Sequence, residues 1–244
     1  MENHELQLGD EKSLMKFLQE PSIKIAEAIT GILASEQKDW KLSAGKLIQA
    51  SIKGTLLTQL GRELKKYREE GKIKEDYFAM SKTRATLYEL LKFLDEEVPD
   101  EDLFRAMKSI FFTGISVNTT EYDQALAYEF LQTAKKLSGT EILILKANSE
   151  FALGNFSDKI SKESTALIQS SRSAWRRNIS IQMGYGELHS IVAKYENNLE
   201  SLGLISARND DTRFQNDFEP TGMYRLTQVG NKFTEFIANY PNLN

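Results

Sequence analysis

The chain predicts a mainly α fold: a helical bundle followed by a C-terminal region in which a short β-hairpin interrupts the helices. Three observations carry this. Apolar residues recur every three to four positions through most of the sequence, the spacing of a helix face. Only 4 prolines and 14 glycines occur in 244 residues, too few for long disordered linkers. After Gly203, two short apolar runs flank a polar stretch, which is the layout of a hairpin.

Taken in order, residues 1–12 read as a flexible tail. It is polar and acidic, with no charged start followed by an apolar run, so a secretory signal is not expected. The helical bundle covers 13–156. Its first helix starts at Ser22, an N-cap directly after Pro21, and sets Ile23, Ala26, Ile29 and Leu33 on one face. A second helix runs from the cap Asp39 to Glu70, about 32 residues or roughly 48 Å. Ile48, Ile52, Leu56, Leu60, Leu64 and Tyr67 form its stripe. Gly45, Gly54 and Gly61 inside it each cost roughly 1 kcal/mol against alanine and read as places of close packing or as a break. Gly71 ends it.

The next helix is expected over Lys74–Glu97, with Tyr77, Met80, Leu87, Leu91 and Leu94 inward. Pro99 disfavours helix at Val98, and Asp100 caps a short apolar helix, Leu103–Thr113. Further helices fit Glu121–Leu137, Thr140–Leu153 and Ser157–Met183, the last with Ile160, Leu167, Trp175 and Ile179 in register. Ala152 to Phe156 resembles a tetratricopeptide turn, but such a repeat needs at least three stacked copies and no third is visible.

From 157 to 244 the character changes. Glu187–Leu202 is helical, with Leu188, Ile191, Tyr195, Leu199 and Leu202 spaced for burial. Gly203 stands where a left-handed C-cap belongs. Residues 204–208 form one strand, 209–221 a polar loop and 223–226 a second strand. Thr227 then caps a final helix that buries Val229, Phe233 and Ile237. The run LESLGLI at 199–205 resembles the segment that closes the recognition helix and opens the wing in bacterial MarR-like regulators. The run YRLTQVG at 224–230 is similar to the segment that leaves the wing. This resemblance, over Glu187–Ala238, implies a winged-helix-like region at 157–244. The whole chain more distantly resembles the bacterial Abi-alpha, or abortive-infection, proteins, which implies a setting in phage defence.

In MarR-like proteins the recognition helix enters the major groove and the wing touches the backbone. The matching positions here include His189, Ser190 and Lys194 on the helix, with Arg208 and Arg213 in the wing. Against them stand Glu187, Glu196 and Glu200 on the helix and Asp210, Asp211, Asp217 and Glu219 in the wing. Phosphate contacts supply most non-specific affinity, so the charge count weighs against DNA. Arg172, Arg176 and Arg177 around Trp175 offer one basic patch. The blander alternative is a solvated helix face with Trp175 turned into the core.

The net charge of −4 disfavours a nucleic-acid coat. With no cysteine, disulfides, thiolate metal sites and thiol nucleophiles are excluded, and a reducing cytosol is the expected location. Of the 2 histidines, His4 lies in the tail and His189 stands alone, leaving little for a metal site or an acid–base dyad. Asp95, Glu96, Glu97, Asp100, Glu101 and Asp102 crowd together without the spacing of a calcium loop. They suit the positive end of a helix dipole. No phosphate-cradling glycine loop and no nucleophile elbow is present.

These readings lead to a non-enzymatic cytoplasmic binding protein, without metal or cofactor, acting through a protein partner or self-association. The alternative is a DNA-binding transcriptional regulator with a helical dimerisation or sensing domain. A third reading, a membrane-perturbing defence effector, would use Leu42–Leu64 with Lys46 and Lys53 at the lipid surface. No stretch reaches the 18 or so uncharged apolar residues of a membrane span.

Overall fold

The computed structural model describes residues 40–77, 79–153, 155, 172–186, 189–206 and 225–238, the side chains of 40–51, 95 and 172–174 excepted. The expected tail at 1–12, the helix at Ser22, most of Ser157–Met183 and the polar loop at 209–221 lie outside these residues, as does the boundary placed after 156. Within them the protein is mainly helical. The helices are α1 (Trp40–Glu69), α2 (Ser81–Glu96), α3 (Glu101–Ile115), α4 (Glu121–Ala134), α5 (Gly139–Ala152), α6 (Arg172–Gln182), α7 (His189–Ser201) and α8 (Gln228–Ala238). The chain divides into two compact units, one of Met1–Pro99 with Gly114–Tyr128, the other of Asp100–Thr113 with Glu129–Asn244.

In the first unit, α1 buries Leu60, Leu64 and Tyr67, while Ile52 on the same predicted stripe is 40% exposed. Gly71, at φ +64°, closes the helix as a left-handed cap: Lys72 N–H donates to Tyr67 O at 2.9 Å and Gly71 N–H to Arg68 O at 3.0 Å. The helix expected from Lys74 begins only at Ser81. Here tertiary pairing overrides the local pattern. Ile73 forms an antiparallel bridge with Ser116, with Lys74 N–H on Ile115 O at 3.0 Å and Val117 N–H on Lys72 O at 3.1 Å. Backbone used in this way is extended and unavailable to a helix. Tyr77 is nevertheless buried, and α2 buries Leu87, Leu90, Leu91, Phe93 and Leu94. A Cβ added at Gly114 would lie 2.5 Å from the Ala127 Cβ, so glycine permits that crossing.

In the second unit, Asp100 performs two tasks. Its Oδ1 accepts from Leu103 N–H at 2.9 Å, the cap read from the sequence. Its Oδ2 accepts from Gly139 N–H at 3.0 Å, joining the starts of α3 and α5. Helix α5 opens with a capping box, in which Ser138 and Glu141 each satisfy the other's backbone N–H. It packs against α6, α7 and α8. Phe130 meets Phe233 and Phe236 edge-on, at centroid distances of 5.3 and 5.1 Å, a favoured arrangement of ring quadrupoles.

Of the predicted C-terminal elements, the helix before Gly203, the Thr227 cap and the final helix are among the described residues; of the two expected strands only 204–206 and 225–226 are, and they meet in a single bridge. Gly203 has φ +67°, Leu204 N–H returns to Leu199 O at 3.0 Å, and Ile205 bridges Leu226 in antiparallel fashion. Thr227 caps α8 through Gly230 N–H at 2.9 Å. Phe233 and Ile237 are buried as expected, but Val229 is 53% exposed. Gly230 accounts for this rotation. A Cβ there would stand 1.8 Å from Leu204 O, so Gly230 lies against the chain and its neighbour Val229 turns outward.

Candidate functional site

Helix α7 was expected to bury Leu188, Ile191, Tyr195, Leu199 and Leu202. The buried positions are instead Val192, Glu196 and Leu199, while Ile191, Tyr195 and Leu202 are half-buried and Leu188 lies outside the described residues. The helix is thus turned so that a carboxylate occupies its buried stripe. A charge there requires a partner, and the fold supplies two arginines.

Arg176 on α6 donates Nε to Glu196 Oε2 at 2.5 Å. Arg225, beside the Ile205–Leu226 bridge, donates Nη1 to Glu196 Oε1 and Nη2 to Glu200 Oε1 at 2.5 Å. The Arg225 side chain is fully buried, Glu196 is 1% exposed and Glu200 17%. Arg225 also holds a carbonyl: Ser206 O accepts from Nε at 3.1 Å and from Nη2 at 2.9 Å. Ser206 N–H in turn donates to Arg225 O at 2.7 Å. One guanidinium therefore ties both partners of the bridge region, Ser206 and Arg225 itself, to α7. Its planar, multi-donor fork suits this role in a way a lysine ammonium would not.

Trp175 is buried against Phe151, ring centroids 5.7 Å apart. Its indole N–H donates to Asn148 Oδ1 at 2.9 Å, and Asn148 Nδ2 donates to Ile144 O at 2.7 Å. The patch around Trp175 accordingly divides. Arg176 turns to Glu196, Arg177 is exposed, and the Arg172 side chain is outside the described residues. Asn198 fastens α7 to α5 through Glu141 Oε1 at 2.8 Å.

The outward face of α7 carries His189, Ser190, Lys194, Asn197 and Ser201, all exposed. Lys194 Nζ sits 5.2 Å from the Tyr195 ring centroid. The earlier charge count is corrected here: Glu196 and Glu200 belong to an internal clasp with cations of their own. Glu187, Arg208 and Arg213 lie outside the described residues. Glu196, Glu200 and Arg225 were not singled out as a unit from the sequence. The available signal was Glu196 standing between Val192 and Leu199 on a helical face, since a glutamate on such a stripe calls for a distant cation.

Among the described residues no group of three or more histidines, cysteines or carboxylates is placed to hold a metal ion. Within the acidic run at 95–102, Asp100 caps α3 and also holds Gly139 N–H, Glu96 lies 3.9 Å from Lys92, and Glu101 pairs with Arg105 at 2.6 Å. No helix among the described residues is long and apolar enough to cross a membrane. Compared with known proteins, the chain matches no family model, no curated protein and no solved structure.

Proposed function

We propose that this chain is a non-enzymatic binding protein whose working surface is the outward face of α7, within a winged-helix-like C-terminal region. The observation that carries this is the inward turn of Glu196 and Glu200. Among the described residues of α7 it leaves His189, Ser190, Lys194, Asn197 and Ser201 as the exposed ones, none of them a carboxylate. Serine, lysine and asparagine are side chains that reach phosphates and base edges. The order α6, α7, antiparallel bridge, α8 supports the winged-helix reading. Duplex DNA is the partner this face suits best, in a regulator whose helical body dimerises or senses. The abortive-infection resemblance adds phage defence as the setting.

The test is fluorescence anisotropy with a generic DNA duplex at about 50 and 200 mM salt. Binding that weakens with salt, and weakens further in Lys194→Ala and Arg177→Ala, is the expected result. Each lost phosphate contact should lower the salt slope by about 1. Absence of binding at 50 mM salt would overturn the DNA reading.

A protein partner or self-association is the second reading. The net charge of −4 favours it, as do the outlying apolar side chains Tyr122, 69% exposed, and Leu153, 71% exposed. The membrane-perturbing reading loses support, because Leu60 and Leu64 of its amphipathic stretch are already buried in the fold.

A further inference from the structure

We propose that Met80 is an oxidation site whose sulfoxide caps helix α2. The observations lie within the first unit and are independent of the DNA reading. Met80 holds the N-cap position of α2 in extended backbone, and Arg84 N–H donates to its carbonyl at 3.0 Å. Residues that cap well carry a side-chain oxygen that accepts from the second or third N–H of the helix. Methionine has no such oxygen, and no side-chain cap hydrogen bond forms.

Two unspent or weakly spent donors accompany this empty cap. Gln124 on α4 directs Nε2 at Met80 Sδ at 3.2 Å, although a thioether is a weak acceptor. Thr83, the third residue of the helix and 3% exposed, keeps its buried hydroxyl without a partner. A helical threonine commonly gives that hydroxyl to the carbonyl four residues back, as Thr86 does to Lys82 O at 2.9 Å. The first turn of α2 thus lacks one acceptor, and a single oxygen added to Met80 supplies it.

Met80 is half-buried, so a small peroxide has access to the side chain. The sulfur lone pair attacks one oxygen of hydrogen peroxide and the O–O bond breaks. The departing hydroxide takes the proton of the transferred oxygen and leaves as water; sulfur is oxidised by two electrons and the peroxide reduced by two. The sulfoxide oxygen carries partial negative charge, which suits the N-terminal end of a helix. Sulfoxide reductases return the thioether, so the mark is reversible. Oxidation of a buried methionine disrupts packing; here it tightens a helix start.

Dilute hydrogen peroxide on the full chain, followed by peptide mass mapping, locates the reaction. Met80 should gain its oxygen at least as fast as Met183, which is also half-buried, and well before the fully buried Met107. Amide exchange then reads the cap. Lys82 and Thr83 N–H should exchange about fivefold more slowly in the oxidised chain, the size of one helix cap. Met80→Leu should show no such change under the same treatment. Met80→Gln, which brings an amide oxygen to the same position, should slow both amides without peroxide. That variant keeps the test available where oxidation of other methionines unfolds the chain, judged by circular dichroism. A Met80 thioether left intact at a dose that oxidises Met183 would overturn the proposal. So would exchange of the two amides that is unchanged or faster in the oxidised chain or, where that chain unfolds, in Met80→Gln.

Discussion

At the scale of single residues, Gly230 shows how a small side chain decides a rotation. Leu204 O occupies the space a Cβ would need, at 1.8 Å, and the neighbour is backbone with little freedom to yield. Gly230→Ala should cost about 1–3 kcal/mol as an overpacking change, lowering Tm by about 3–10 °C in a thermal melt. Lys146 on α5 makes the complementary case for charge. Desolvation holds its ammonium below the ordinary lysine value; Asp102 opposes the shift and Arg105 adds to it. A lysine whose folded pKa is depressed contributes stability above its unfolded pKa and loses it as pH falls through the folded one. At neutral pH the charged form is therefore a cost. Lys146→Met should raise Tm by about 1–3 °C at pH 7, a modest effect because the side chain is only partly buried. The difference should shrink as pH approaches 10.

At the scale of elements, the boundaries follow local chemistry. The capping box of α5 joins Ser138 Oγ to Glu141 N–H and Glu141 Oε2 to Ser138 N–H at 2.7 Å. Ser138→Ala should destabilise the protein by about 1 kcal/mol, read as a lower urea midpoint at unchanged slope. Glu141 also receives Asn198 from α7, so Glu141→Ala should cost more than the cap alone. Much of this was legible beforehand: Gly71 and Gly203 as helix stops, Pro99 as a break, Asp100 and Thr227 as caps. Each depends on contacts within a few residues. The start of α2 was not legible. Lys72 to Lys74 pair with Ile115 to Val117, and nothing in the local pattern announces a partner 43 residues away.

At the scale of the whole molecule, the net charge of −4 opposes any polyanion, so affinity for DNA has to come from a few local cations. With Lys194, Arg177 and at most one more phosphate contact, the slope of log K against log salt should lie near −2 to −3. A rise from 50 to 200 mM salt should then weaken binding by about 15- to 60-fold. A much steeper slope would point to a basic surface larger than α7 and its neighbour on α6.

The sequence by itself determined that the chain is mainly helical, where most helices end, and that a glycine-capped helix leads into paired segments and a Thr-capped final helix. Periodicity, proline, glycine and capping side chains act over one or two turns, so they can be read in order along the chain. The tertiary structure decided what the stripes alone did not: the rotation of α7 and the exposure of Val229 on α8. Glu196 is buried because Arg225, 29 residues later, and Arg176 both reach it, and Val229 is exposed because Gly230 meets Leu204. The candidate binding face follows from that rotation. A carboxylate counts against an anionic partner only where it meets solvent, and that depends on a cation brought to it from elsewhere in the chain.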